Sequence, residues 1–362
     1  MLENKIKILH IADVHLGRDF NFSSKKVNES QVRKEEIWDS FEKSLSFAED
    51  EGVEIVLIPG DLYDNDKITK SNLDRLSFIF EKFSKMRFYI SLGNHDHLSP
   101  KSDYLKKISS NNVHIFSDFL EYREYKNIRI YGFSWDRVEY QKNPLRFIDL
   151  DKSYTNILSI HGTDSSLSDY LPLDIKYLED LGFDYIALGH IHQPKKAGRL
   201  SYYPGCLEPL SFNNLGPHGG LLVEFSGKEA KVDFIKMAQR SYYDLDFDVS
   251  EISANKDLFK GLMKIFTDIK RTDIIRLNLL GRKSKNLDFE ELETILKRDY
   301  SLIYIVDKTS PKINFQRLLA ANKDNIIGRY FDYVFNNYDE KDQRQLVKIG
   351  LESFDLGDSY ED

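Results

Sequence analysis

Apolar and polar positions follow two different periods along the first half of the chain. Residues 6–11 form a short β-type run, Ile37, Phe41, Leu45 and Ala48 recur at helical spacing, and residues 53–58 make a nearly unbroken apolar stretch. These read as strand, helix and buried strand. A second round predicts a helix over 71–83, a strand over 88–92, a short helix over 103–108 and a strand over 113–116. Strands around 128–131, 156–160 and 185–188 continue the series, each ending just before a polar cluster. Strands alternating with helices predict an α/β fold, and such sheets bind ligands beyond the carboxyl ends of their strands.

From about residue 202 the pattern changes to β-type runs at 219–225, 230–236 and 241–247. A helix over 256–269, a strand over 274–280, a helix over 289–297 and a strand over 302–306 then make a smaller α+β unit. Amphipathic helices follow over 315–338 and 340–354. The expected organisation is a first domain over 1–240, an α+β domain over 241–310, and C-terminal helices with an acidic tail over 311–362. From Leu351 the tail carries Glu352, Asp355, Asp358, Glu361 and Asp362 with no Lys or Arg.

Composition narrows the function classes. The 362 residues hold 51 Lys plus Arg against 59 Asp plus Glu, a net charge of -8, which excludes a uniformly basic nucleic-acid coat. No apolar run reaches the roughly 18 residues of a membrane span, and the first residues form no signal-type apolar stretch, so a cytoplasmic protein is expected. A single cysteine, Cys206, allows neither an internal disulfide nor a cysteine-based zinc site. Any metal must then be held by His, Asp, Glu or Asn.

All nine histidines lie between His10 and His218. Five polar clusters follow strand-like runs in order: Asp13-Val-His15, Gly60-Asp61-Leu-Tyr-Asp64, Gly93-Asn94-His95-Asp96, His161-Gly162 and Gly189-His190-Ile-His192. One such cluster is a turn; five in this position point to a metal site. In Asp13-x-His15 and His190-x-His192 the two side chains share a side if the strand continues. Carboxylate and amide oxygens mixed with imidazole suit Mn²⁺, Fe²⁺ or Zn²⁺, and seven candidate ligands (Asp13, His15, Asp61, Asn94, His161, His190, His192) exceed what one ion uses. Two ions sharing a bridging carboxylate account for them, the arrangement of enzymes that cleave phosphate esters.

The order D-x-H, G-D, G-N-H-D, H, G-H-x-H resembles the calcineurin-like metallophosphoesterase superfamily over residues 13–192. The resemblance implies an α/β architecture with a β-sandwich flanked by helices. It implies one ion on Asp13, His15 and His192, the other on Asn94, His161 and His190, with Asp61 bridging. His95 is implied to stay free of metal and assist the leaving oxygen, with Asp64 orienting it. Leu9-His-Ile-Ala-Asp-Val-His-Leu-Gly17 and Tyr203-Pro-Gly-Cys-Leu-Glu-Pro-Leu-Ser-Phe212 are similar to the SbcD-type exonucleases, especially their YhaO-like bacterial members. That likeness implies two divalent ions, foremost Mn²⁺, a DNA substrate in repair, a capping domain after the catalytic one, and an SMC-like ATPase partner of the SbcC/YhaN type. Family members also dimerise, for which residues 71–83 and 103–108 are candidates. The alternatives are a small-molecule phosphodiesterase or phosphatase, and a non-catalytic scaffold for the ATPase.

Basic and aromatic residues extend the reading. Arg18, Lys25, Lys26, Arg33 and Lys34 near the first motif, and Lys195, Lys196 and Arg199 after the last, are candidates for contacting a phosphate backbone. Phe20, Phe22, Tyr63 and Tyr203 are candidates for stacking on unpaired bases. Trp38 and Trp135 are assigned to packing.

Overall fold

A computed structural model describes residues 5–20, 22, 27–141, 145, 148–300, 302–311, 315–354 and 356. Lys25, Lys26 and the acidic tail residues Asp355, Asp358, Glu361 and Asp362 lie outside them. The chain divides into two compact units, Met1–Ser241 and Tyr242–Asp362.

The first unit runs β1 (Ile6–His10), α1 (Val27–Asp50), β2 (Ile55–Pro59), α2 (Lys70–Lys82), β3 (Arg87–Ser91), α3 (Pro100–Ile108), β4 (Val113–Ile115), β5 (Glu121–Tyr125), β6 (Ile128–Gly132), β7 (Thr155–His161), α4 (Ile175–Asp180), β8 (Tyr185–Gly189), β9 (Lys195–Lys196), β10 (Ser201–Tyr203), β11 (Gly219–Ser226) and β12 (Glu229–Lys236). These form two six-stranded mixed sheets, ordered β12-β11-β1-β2-β3-β4 and β5-β6-β7-β8-β10-β9. The site-bearing neighbours β1-β2-β3 and β7-β8 are parallel. Their carboxyl ends therefore lie along one edge of each sheet.

Side-chain alternation sorts the layers. Ile6 and Ile8 of β1, Ile55 and Leu57 of β2, Ile157 of β7 and Tyr185 and Ala187 of β8 pack into one buried core between the sheets. The intervening Leu9, Val56 and Ile58 face a second core with Ile37, Phe41 and Leu45 of α1 and Leu76 and Phe80 of α2. Leu158, Ile160, Ile186 and Leu188 build a third with Leu178 of α4 and Trp135. Each large aliphatic buried this way contributes about 1.5–3 kcal/mol. A one-residue slip of β1 would turn Lys7 inward and expose several of them at once, so the register is firmly held. The result is a helix-flanked sandwich, in line with the expected fold class.

In the second unit β13 (Tyr242–Asp248), α5 (Asn255–Ile265), β14 (Ile274–Leu280), β15 (Arg282–Lys283), α6 (Phe289–Asp299), β16 (Leu302–Asp307) and β17 (Ser310–Pro311) precede α7 (Phe315–Ala321), α8 (Ile326–Asn337) and α9 (Glu340–Ser353). Strands β13-β14-β16 make a parallel sheet whose Leu277, Leu279 and Ile303 pack on Leu258, Leu262, Leu292 and Leu296. The helical stretch expected over 315–338 is two helices. The Asn325 side chain accepts from the Ile327 and Gly328 amides and so starts a new helix there. No helix among the described residues is long and apolar enough to cross a membrane.

Candidate metal centre

The carboxyl ends of β1, β2, β3, β7 and β8, with the turns that follow them, bring the candidate ligands together. The expected continuation of the strands does not occur. Asp13 (φ 51°), His15 (φ 54°), Asp61 (φ 54°) and His190 (φ 104°) all adopt left-handed backbone, which turns the side chains toward a common centre instead of along a strand face. Such residues cost about 1–2 kcal/mol each. Backbone pairing offsets this: the amides of Asp13, His15 and Leu16 donate to Gly60 O, Asp61 O and Leu62 O at 3.2, 2.9 and 2.9 Å. The approach of the two sheets is close enough to require glycine. A Cβ on Gly60 (φ 94°) would sit 2.1 Å from His161 Nδ1, and one on Gly189 would sit 1.8 Å from Pro59 O.

The donor atoms carry a clear signature. His161 Nδ1 lies 3.0 Å from Pro59 O, which can only accept, so Nδ1 holds the proton and Nε2 holds a lone pair. That Nε2 faces Asn94 Oδ1 at 3.0 Å and Asp61 Oδ2 at 3.5 Å, both acceptors. His15 repeats the arrangement. Its Nδ1 is 2.7 Å from Asp64 Oδ1, which places a proton on Nδ1, and its Nε2 lies 3.3 Å from His192 Nε2 and 3.9 Å from Asp61 Oδ2. Asp13 Oδ1 lies 3.9 Å from His192 Nε2. Imidazole nitrogens and carboxyl and amide oxygens converging in a buried setting suit a cation, and hydrogen bonds on the far ring nitrogens, as His161 and His15 make, are those that orient metal-bound imidazoles.

Ligand atoms of Asp13, His15 and His192 lie within 4.8 Å of one another, as do those of Asp13, Asp61 and His161. His190 packs edge-on against His161 with ring centroids 5.2 Å apart, and its amide donates to both Asp13 oxygens at 3.0 Å. Burial, reinforced by neighbouring imidazoles, lowers His190 to about 4 and His192 to about 3, so both rings are neutral and able to bind metal. Burial and then Asp61 push Asp13 upward. Burial alone would raise Asp61 too, but His161, His15 and His95 outweigh it and hold it below the usual carboxylate range. The residues present fit a pair of hard or borderline cations.

Asp64, His15 and His95 form a third group. Here the carboxylate is a hydrogen-bond hub: Asp64 Oδ1 meets His15 Nδ1 at 2.7 Å and His95 Nδ1 at 3.3 Å. Burial opposes its ionisation, yet the two imidazoles keep it well below the ordinary range. His95 is 42% exposed, and its bond to Asp64 raises its pKa. Arg18 Nη1 stands 4.0 Å from Asp64 Oδ2 with its side chain 31% exposed.

Two positioning residues received no role from the sequence. Asn65 donates its amide to His95 O at 2.8 Å and its side-chain N–H to His97 O at 3.0 Å. Asp96 accepts from the amides of Asp61, Leu62 and Gly93 at 3.1, 2.7 and 2.6 Å, clamping the loop after β2 to the loop after β3. Its place in Gly-Asn-His-Asp was the available signal. Asp96→Asn sets an NH₂ group against a buried amide that needs an acceptor, so about 1–3 kcal/mol of stability should be lost, measurable by urea denaturation.

Several expected substrate contacts are corrected. Tyr63 and Tyr203 are 0% and 1% exposed, in the α1–α2 core and the α4-side core, so neither ring face is open to a base. Tyr203 Oη instead donates to Gly162 O at 3.0 Å. Phe20 is also buried. Arg33 is fully buried and pairs with Glu36 at 2.6 Å and Glu208 at 3.2 Å, which makes it a structural cation. Lys34 pairs with Asp19 and Lys195 with Asp164, while Lys196 and Arg199 are exposed. Trp38 and Trp135 are buried, and Trp135 Nε1 donates to His161 O at 3.1 Å.

Residues 6–194, which hold all seven candidate ligands, match the Calcineurin-like phosphoesterase family. The chain belongs to that family. Members are metal-dependent phosphoester hydrolases. The uncharacterised metallophosphoesterase YhaO of Bacillus subtilis is 27% identical over 76% of this chain and 72% of its own length. The DNA double-strand break repair proteins Mre11 of Aeropyrum pernix and Sulfurisphaera tokodaii are each 26% identical, covering 73% and 96% of this chain and 69% and 93% of their own.

Proposed function

We propose that this phosphoesterase is a two-metal DNA nuclease of the SbcD type acting in DNA repair. The observation that carries the hydrolase is the convergence of imidazole nitrogens with carboxylate and amide oxygens from five strand ends. The similarity to Mre11 repair proteins over most of the chain supports DNA as the substrate.

In this reading Asp13, His15 and His192 hold one ion, Asn94, His161 and His190 the other, and Asp61 both. Mn²⁺ is the ion proposed first, with Fe²⁺ and Zn²⁺ compatible with the same donors. When bound, such a pair supplies a nucleophile at neutral pH and positive charge at the phosphate oxygens. His95 donates a proton to the departing oxygen, Asp64 holds the His95 ring, and Arg18 binds a phosphate next to them. The second unit is proposed to provide the capping domain and the helices that meet an SMC-like ATPase. Exposed Phe78 on α2 (67% exposed) suits self-association through α2 and α3.

The test is incubation of end-labelled linear DNA with the full chain and Mn²⁺, with cyclic nucleotides and phosphomonoesters alongside. Degradation of DNA is expected. Turnover of the small esters with intact DNA would reassign the substrate to the small-molecule branch. Adding the ATPase to the assay, and the mass of the isolated chain in sedimentation, test the two associations.

A further inference from the structure

One buried histidine outside the ligand set links the two sheets directly below the site. His10, the last residue of β1, lies fully buried on the inward-facing parity of Ile6 and Ile8. Its Nε2 is 3.2 Å from Leu188 O on β8, and its Nδ1 is 2.9 Å from Tyr185 Oη on the same strand. A carbonyl only accepts, so Nε2 carries the proton and Nδ1 accepts from the tyrosine hydroxyl. Burial drives the imidazole down to about 3, so the ring stays neutral and this tautomer persists.

Strands β1 and β8 belong to different sheets, and no ladder joins them. Above the His10 link, the loops that follow them meet through the His190 amide on the Asp13 carboxylate at 3.0 Å and through the Nε2 atoms of His15 and His192 at 3.3 Å. Yet the first ion's proposed ligands come from both strands: Asp13 and His15 follow β1, His192 follows β8. The distance between these strands therefore sets how far His192 stands from His15.

We propose that His10 is a positioning residue for the metal centre, whose hydrogen bonds to Leu188 O and Tyr185 Oη fix the β1–β8 spacing and thereby the affinity for the ion between Asp13, His15 and His192. The inference rests on the metal-centre reading and not on the identity of the substrate. Removing the ring leaves the Leu188 carbonyl and the Tyr185 hydroxyl unpaired in the core and lets the strands separate.

The experiment is calorimetric titration of Mn²⁺ into the metal-free full chain, for wild type, His10→Leu, His10→Gln and Tyr185→Phe. His10→Leu should weaken one of the two binding steps by about 10- to 100-fold, the usual effect of losing a residue that orients a ligand. His10→Gln keeps a terminal N–H for Leu188 O and should bind close to wild type. With saturating Mn²⁺, His10→Leu should regain kcat with KM for a phosphodiester unchanged. Wild-type Mn²⁺ affinity in His10→Leu would overturn the proposal, even with a lowered melting temperature. If His10→Leu does not fold, Tyr185→Phe takes its place: a weakened step supports the proposal and an unchanged one overturns it. No nucleic acid enters the titration, so failure of the DNA assignment would leave its outcome intact.

Discussion

His95→Ala should lower kcat on DNA by about 10²- to 10⁴-fold while both metal ions stay bound. The residue is held for a task at the open side of the site. Its amide donates to Asp61 Oδ1 at 2.9 Å, its carbonyl accepts from Asn65 N at 2.8 Å, and its Nδ1 meets Asp64 at 3.3 Å, while the ring stays 42% exposed. Nearly every group around it is buried, so exposure here marks a ring that can meet substrate. The hydrogen bond to Asp64 raises its pKa and keeps the imidazolium present to higher pH. The acid form is the useful one, so the His95-dependent part of the rate is present at low pH and fades as pH rises through that pKa. A good leaving group needs no proton. The loss should therefore be large on DNA and small on bis(p-nitrophenyl) phosphate, with metal content unchanged in both assays. Equal losses on the two substrates would assign His95 to substrate or metal binding instead.

The parts legible in the sequence were those encoded by residue type and order. Strand ends followed by Asp-x-His, Gly-Asp, Gly-Asn-His-Asp, His and Gly-His-x-His announced the convergence, because few other chemistries need five polar clusters in that place. What order does not encode is backbone direction. Asp13, His15 and His190 reach the centre through left-handed turns, not along a strand face. Proximity to a motif proved a poor guide to exposure, since Tyr63, Tyr203 and Arg33 lie next to motifs yet inside the cores. Strand β5, Glu-Tyr-Arg-Glu-Tyr at a sheet edge, has too few apolar positions to show a period of two. His10 shares the inward parity of Ile6 and Ile8 in the sequence, but its partners on β8 follow only from the sandwich.

Asp61→Asn should abolish the proposed paired site, because this carboxylate faces imidazoles assigned to each of the two ions. Its Oδ2 lies 3.5 Å from His161 Nε2 and 3.9 Å from His15 Nε2, and its Oδ1 accepts the His95 amide. Asparagine keeps the size of the side chain and tolerates the left-handed φ of 54°, so the fold should survive. What disappears is the negative charge that His161, His15 and His95 surround. An amide NH₂ would also bring a donor where a cation needs lone pairs. Mn²⁺ stoichiometry should fall from two toward one or none, with affinity reduced beyond the about 10- to 100-fold expected for residues one step further from the ion. Cleavage should fall below detection at metal concentrations that saturate wild type and recover only in part with excess Mn²⁺. Calorimetry and kcat measured against rising Mn²⁺ read both effects on the same preparation. Two ions bound with wild-type affinity in Asp61→Asn would mean that the carboxylate is not shared, and the two triads would then have to hold their ions independently.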